Sequence, residues 1–397
     1  MYKFKSIGDI KDLEGKRVLL KLDLNLSLDE NKKVNTESVL RVESALPTIN
    51  YLMDRGGRIA IISHLGRPDG QFVPELKMDP VAELLSKYIN KNVKKLDSCL
   101  TNDIKDDINN MQDSSVLLLE NIRFYKEEKE NNEEMAKSLA GLFDVYINDA
   151  FSSAHRNYMS SSAITKFLPS YMGFKFQEEV ENLGNILKIE CQNRLLILGG
   201  AKIKTKLVLI EKLINKFSYI LLGGVMANTF LKARNMNIGK SVFEEECLEK
   251  ARNIDSDKII LPIDALVSDE IKLGSGSSIK NIEDIISEDL ILDIGPKTTT
   301  LFSSYIHKAE LILWNGPMGY FELNQFRNGT QELINEMVSS EARIYTGGGE
   351  TITVLNEMKM SQDFDFVSTG GGAMLEFLAG NELPALKALE ENALHYK

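Results

Sequence analysis

At 397 residues the chain is too long for one ordinary core, so two domains are expected. Hydrophobic content of 43% and charged content of 26% fit a globular protein, and a formal net charge of -11 excludes a general binder of nucleic acid or acidic membrane. Three scattered cysteines, no membrane-length apolar run and no apolar leader in the first residues argue for a reduced, cytoplasmic protein without a disulfide framework or metal-ligand cysteines.

In chain order, Arg17 to Leu26 alternates like a strand and runs through Lys21, Asp23 and Asn25. Helical spacing follows over Thr36 to Met53. Arg58 to Ile62 is an apolar strand that leads into Ser63-His64-Leu65-Gly66-Arg67-Pro68, and Asp79 to Ile89 is helical. Val116 to Leu119 is a strand before Glu120-Asn121-Ile122-Arg123-Phe124, and a charged helix is predicted over Glu127 to Leu142. Val145 to Asn148 is a strand before Asp149-Ala150-Phe151, with Ala154-His155-Arg156 beyond. Alternation of this kind predicts a parallel sheet. Phe176 to Leu187 is amphipathic and is the candidate connecting helix.

A second series opens at Leu195-Leu196-Ile197-Leu198, followed by Gly199-Gly200-Ala201-Lys202 and a helix beginning near Lys206. Lys202 and Lys206 are four residues apart, which places both amines on one helical face near free backbone N–H groups. Two interpretations stand at that point: a phosphate cradle, or a glycine turn followed by solvated lysines. Later strands also end in glycine: Tyr219 to Leu222 before Gly223-Gly224, and Leu311 to Trp314 before Asn315-Gly316-Pro317. Arg343 to Thr346 precedes Gly347-Gly348-Gly349-Glu350-Thr351, and Asp365 to Ser368 precedes Thr369-Gly370-Gly371-Gly372.

Ligands of open parallel sheets sit beyond the carboxyl ends of strands. The first half gathers arginines there, suited to a small phosphorylated or carboxylated anion, and the second gathers glycine turns suited to a polyphosphate. The expected layout therefore has two substrates. A lone arginine is best explained by a nearby carboxylate, such as Glu120 for Arg123, but three after separate strands favour an anion site. Gly239-Lys240-Ser241 lacks the earlier glycine of a P-loop, and the four histidines are not paired at zinc spacing. Trp314 is expected in the core.

Taken together and in this order, the segments Leu22-Asp23-Leu24-Asn25, Ser63 to Pro68, Glu120 to Phe124, Asn148 to Phe151, Leu198 to Lys202, Trp314 to Pro317, Gly347 to Thr351 and Ser368 to Ala373 resemble the phosphoglycerate kinase family along nearly the whole chain. The resemblance implies an α/β fold: two Rossmann-like three-layer domains, each with a parallel sheet, joined by a hinge helix. It places a phosphoglycerate-binding domain at 1–172, with the tail 374–397 packed back on it, a connecting helix at 173–189 and a nucleotide-binding domain at 190–373. It implies reversible phosphoryl transfer from 1,3-bisphosphoglycerate to ADP, giving 3-phosphoglycerate and ATP, in a magnesium-dependent, hinge-bending monomer.

By position, Asp23, Asn25, Arg41, His64, Arg67, Arg123 and Arg156 would bind the glycerate substrate. Gly200, Lys202, Lys206, Gly224, Asn315, Glu322, Gly348, Gly349, Glu350 and Thr351 would bind the nucleotide, with Glu350 serving the metal. Arg41, Lys206, Gly371 and Gly372 would surround the transferring phosphoryl group. The chain departs from the family pattern in having Glu350 for Asp, Lys21 for Arg, Val225 for a third glycine and Tyr158 for a second His. A non-catalytic phosphate sensor and a nicotinamide oxidoreductase are the alternatives. Release of ADP from 3-phosphoglycerate and Mg-ATP discriminates against the first, and the absence of cofactor-dependent absorbance changes against the second.

Overall fold

The computed structural model describes residues 4–26, 36–254 and 256–396. The chain divides into two compact units, Met1–Glu181 together with Glu382–Lys397, and Asn182–Asn381. The helix Phe174–Ile186 runs across the boundary in sequence.

Unit 1 contains β1 (Arg17–Lys21), β2 (Arg58–Ile62), β3 (Val93–Lys95), β4 (Val116–Leu118), β5 (Val145–Asn148) and β6 (Ser170–Met172). They form one sheet in the order β3-β4-β2-β1-β5-β6, parallel at every pairing. Its strands are continuous apolar runs because both faces are covered. Successive side chains of a strand point to opposite faces. Thus Val18, Leu20, Ile59 and Ile61 enter one core cluster, and Leu19, Ala60, Ile62 and Tyr146 enter the other. The register places Lys21 beside both Ile62 and Asn148, so the loops after β1, β2 and β5 leave from the same edge. The helix Pro384–His395 returns to this unit. There the Asn392 amide donates to the carbonyls of Thr165 and Leu168 and accepts from the Ser170 N–H.

Unit 2 contains β7 (Arg194–Leu198), β8 (Tyr219–Leu222), β9 (Ile259–Ile260), β10 (Asp264–Ser268), β11 (Ser277–Asn281), β12 (Leu290–Ile294), β13 (Leu311–Asn315), β14 (Arg343–Gly347) and β15 (Phe366–Ser368). The main sheet has the order β15-β14-β13-β7-β8-β9 and is parallel. Asn315 is in register with Leu198, so the glycine loops after β7 and β13 emerge side by side. Trp314 is 1% exposed and packs in this core, as expected.

Three expectations change. The charged helix over 127–142 is two helices, Lys126–Lys129 and Glu133–Ala140. Asn131 takes a left-handed φ of 53°, and the Asn132 side chain accepts from the Met135 N–H at 2.9 Å, capping a new helix start. A small antiparallel sheet, β11-β10-β12, stands beside the parallel one. β1 ends at Lys21 rather than at Leu26, and the chain beyond it turns into the site loop.

Candidate active site

In unit 1 the residues after β1, β2, β4 and β5 meet around Asp23. Its Oδ2 accepts from Arg41 on the helix Thr36–Asp54 and from the Ser152 hydroxyl in the turn after β5. The Asn25 Oδ1 accepts from the Gly66 N–H at 2.8 Å, which ties the β1 loop to the β2 loop. Arg123 donates from Nη1 to the Gly66 carbonyl at 2.8 Å, which brings the β4 turn to the same place. Asn121 braces that turn by donating to the carbonyls of Leu65 (2.7 Å) and Leu76 (2.9 Å).

The charge balance around this cluster is strongly positive. Burial raises the Asp23 carboxyl, but the Arg41 guanidinium and the hydrogen bonds from Ser152 and the Asn25 N–H outweigh it and hold the group below the usual carboxylate range. Burial pushes the His64 imidazole down to about 3, with Arg123, Lys21 and Arg41 adding to the effect and only Asp23 opposing it. Arg67 and Arg156 are exposed. Neither they nor Arg123 form an ion pair among the described residues. Glu120 pairs with Lys95 at 2.6 Å, not with Arg123, so the simplest structural explanation of Arg123 fails. Arg156 follows the Phe151–Ser153 turn, where its N–H donates to the Ser153 carbonyl at 3.0 Å.

In unit 2 the centre is Lys206. The helix it belongs to is Ile203–Leu213, so Lys202 is the residue before the helix. The four-residue spacing therefore does not align the two amines. Lys202 is exposed, whereas Lys206 is buried and donates to the carbonyls of Gly199 and Asn315. Burial pulls the Lys206 amine down to about 8 against the pull of Glu350, and Lys202 lowers it further. The loops close tightly on this amine. A Cβ on Gly316, at φ 95°, would stand 2.5 Å from the Gly199 carbonyl and 2.6 Å from Lys206 Nζ. One on Gly200, at φ 69°, would stand 2.8 Å from a Glu350 carboxylate oxygen.

Thr351 accepts from the Gly316 N–H at 2.9 Å, and the Asn315 amide donates to the Gly347 carbonyl. Gly224 packs against Gly200: a Cβ there would lie 2.9 Å from the Gly200 nitrogen. A Cβ on Gly348 would meet the Asn315 amide at 2.8 Å, and one on Gly349 would meet nothing. Gly371 precedes the short helix Gly372–Leu378, and Glu322 is exposed beyond β13.

Sequence reasoning missed Ser152 and Ser63, whose hydroxyl bridges the Leu22 carbonyl (2.8 Å) and the Leu24 N–H (3.0 Å). It also missed the partners of Lys21. Small hydroxyls in loops carry little periodic signal, although the run Ser160-Ser161-Ser162 after a strand was visible.

The phosphoglycerate kinase family model matches residues 7–381. The chain belongs to the phosphoglycerate kinase family. It is 43% identical over 396 residues to a phosphoglycerate kinase of Dictyoglomus turgidum, covering 98% of this chain and 99% of the relative. It is similar to the structure of phosphoglycerate kinase from Coxiella burnetii, with a TM-score of 0.84 at 36% identity, over 98% of this chain and 100% of that one. It also resembles the Pyrococcus horikoshii phosphoglycerate kinase structure, with a TM-score of 0.88 at 28% identity, over 99% of this chain and 100% of that one. Membership of this family makes the chain a phosphotransferase of glycolysis.

Proposed function

We propose that unit 1 grips 3-phosphoglycerate or 1,3-bisphosphoglycerate, that unit 2 holds ADP or ATP with magnesium, and that the phosphoryl group passes reversibly between the acyl phosphate and ADP. The observation that carries this reading is the cationic cluster at the carboxyl edge of the first sheet. Burial, and then Arg67 by like-charge repulsion, lower the Arg123 guanidinium, and neither arginine holds an ion pair among the described residues. The exposed Arg156 follows the β5 turn, and uncompensated cations after these strands call for an anion.

In this assignment Asp23, Asn25 and His64 orient the glycerate, and Arg67, Arg123 and Arg156 hold its 3-phosphate. Arg41 lies nearest the reacting carboxylate. Gly200, Lys202, Lys206, Gly224, Asn315, Gly348, Gly349 and Thr351 cradle the nucleotide phosphates and base, and Glu322 takes the ribose. Gly371 and Gly372 offer backbone N–H groups to the group in flight. In the ATP-consuming direction the carboxylate of 3-phosphoglycerate is itself the nucleophile: its oxygen bonds to the γ-phosphorus as the bond to the ADP oxygen breaks. No general base is required, and catalysis rests on alignment and charge neutralisation. Polyphosphate beside Lys206 raises that amine and keeps it charged.

Glu350 fits a magnesium site, because it presents one carboxylate beside Gly200 and Lys206, and magnesium is usually held by one or two carboxylates plus substrate phosphates. Magnesium, when bound, neutralises phosphate oxygens. Transfer between separately held ligands requires the units to close, with Phe174–Ile186 as the hinge. We assign the chain to the cytoplasm as a monomer without nucleic-acid or membrane partners. Its free Cys99, Cys191 and Cys247 fit a reducing compartment.

The test is a coupled assay. Arg41→Ala and Lys206→Ala should each lower turnover by about 100-fold or more, with circular dichroism unchanged. Wild-type rates from both variants would overturn the assignment.

A further inference from the structure

Lys21 lies outside the proposed set of ligand-binding residues, yet it is a buried cation. It ends β1 only 4% exposed, and its amine donates to the hydroxyls of Ser160 and Ser161. The Glu128 carboxylate stands 3.8 Å from that amine and is 3% exposed. Both Glu128 oxygens are engaged by one residue: Oε1 accepts from the Ser160 hydroxyl at 2.7 Å, and Oε2 from the Ser160 N–H at 2.8 Å. The Glu128 carbonyl accepts from the Met159 N–H at 2.9 Å, and the buried Tyr146 hydroxyl donates to the Ser160 carbonyl at 2.6 Å. The segment Met159–Ser161 is therefore pinned by three elements, β1, β5 and the helix Lys126–Lys129.

A buried ion pair of this kind is a poor source of net stability, because desolvation offsets the attraction. What it does supply is geometry. Tyr158 immediately precedes the pinned segment, and its carbonyl accepts from Ser161 N–H (3.0 Å) and Ser162 N–H (2.8 Å). Its ring lies under the Arg123 guanidinium, 5.8 Å from the charge to the ring centre. Arg156 is two residues before Tyr158 on the same segment. Thus one lysine on the first strand sets a segment that carries one arginine and supports another.

We propose that Lys21 and Glu128 are positioning residues for phosphate recognition: through Ser160 and Ser161 they fix the Tyr158 ring beneath Arg123 and fix the segment bearing Arg156. This rests on the assignment of those arginines to the 3-phosphate. Neither Lys21 nor Glu128 touches the substrate. They act by removing the freedom of two guanidinium groups before the anion arrives, which lowers the entropy lost on binding. Arg123 has no carboxylate ion pair among the described residues: the Gly66 carbonyl holds one end of its guanidinium, and the Tyr158 ring supports its face.

The experiment measures kcat and the KM for 3-phosphoglycerate and for Mg-ATP on the full chain, together with melting temperature. Tyr158→Leu and Lys21→Met should each raise the phosphoglycerate KM by roughly tenfold and leave the ATP KM unchanged, the range expected from losing a cation–π support. Tyr158→Phe, which keeps the ring face, should stay within about twofold, and the double variant Lys21→Met/Tyr158→Leu should be no worse than the poorer single one. A lowered melting temperature with an unchanged phosphoglycerate KM, or equal rises in both KM values, would overturn the proposal. If Lys21→Met does not fold, the Tyr158 variants decide alone. Arg123→Ala separates the two levels: an unchanged phosphoglycerate KM there refutes the arginine assignment itself. A raised one with Tyr158→Leu unaffected refutes only the role of the network.

Discussion

His64 is a histidine that the protein keeps neutral. Burial and the surrounding Arg123, Lys21 and Arg41 hold its imidazole near 3, far below the ordinary value near 6.5. In the assignment proposed above, a neutral ring orients the ligand by hydrogen bonding and leaves charge compensation to the arginines. The sign of the stability effect follows from linkage. Above pH 6.5 the ring is neutral in both folded and unfolded chains and contributes nothing. As pH falls from 6.5 towards 3, the unfolded chain takes up a proton that the folded chain refuses, so stability is lost. Between pH 6.5 and 5 this share is at most about 2 kcal/mol, and less to the extent that water reaches the ring. Urea unfolding at the two pH values should therefore show a smaller acid loss in His64→Gln than in the parent chain, and the His64 ring resonances should not titrate between pH 5 and 8. A midpoint near 6.5 would refute the neutral-ring account.

Among the elements, the long parallel strands were the most legible in the sequence. Arg17–Lys21, Arg58–Ile62 and Arg194–Leu198 are apolar runs ended by chemically loaded loops. The three-residue strands Val93–Lys95 and Ser170–Met172 are too short to show a period, and Ser277–Asn281 is too polar to resemble a core strand. The break between Lys126–Lys129 and Glu133–Ala140 was hidden because charge continued across it, while its cause lay in two asparagines. Asn132→Ala should cost about 1 kcal/mol in denaturant unfolding by removing the cap on Glu133–Ala140. No change would mean that packing alone starts that helix. In the site, Asp23, His64 and Arg123 could be read because each follows a strand end, whereas Arg41, on the helix Thr36–Asp54, was reached only through the family resemblance. The link from Lys21 to Ser160 spans 139 residues and has no local signal. The different fates of Lys202 and Lys206 were likewise invisible, because the spacing rule holds only inside a helix and Lys202 stands just outside it.

At the scale of the whole molecule, each unit owns a parallel sheet whose loops carry one half of the proposed site, and unit 1 is discontinuous in sequence. Residues from Glu382 onward supply the buried Leu386 and Leu389 and the three hydrogen bonds of Asn392. Asn392→Ala leaves the Thr165 and Leu168 carbonyls and the Ser170 N–H without their partner. It should cost on the order of 3 kcal/mol in unfolding free energy. Hydrogen exchange at Ser170–Met172 should accelerate, while β7 and β13 keep their protection. Equal acceleration in both units would show that Asn392 is not a local fastening.

This return of the chain sets an order in time. A ribosome makes the five strands β1 to β5 and the edge strand β6, then every residue of unit 2, before it reaches Asn392. The lobe that is translated first is completed last, and until the closing helix emerges the Thr165 and Leu168 carbonyls and the Ser170 N–H wait for Asn392. The later lobe can reach its native core while the earlier one is still waiting for its final sixteen residues, Glu382–Lys397.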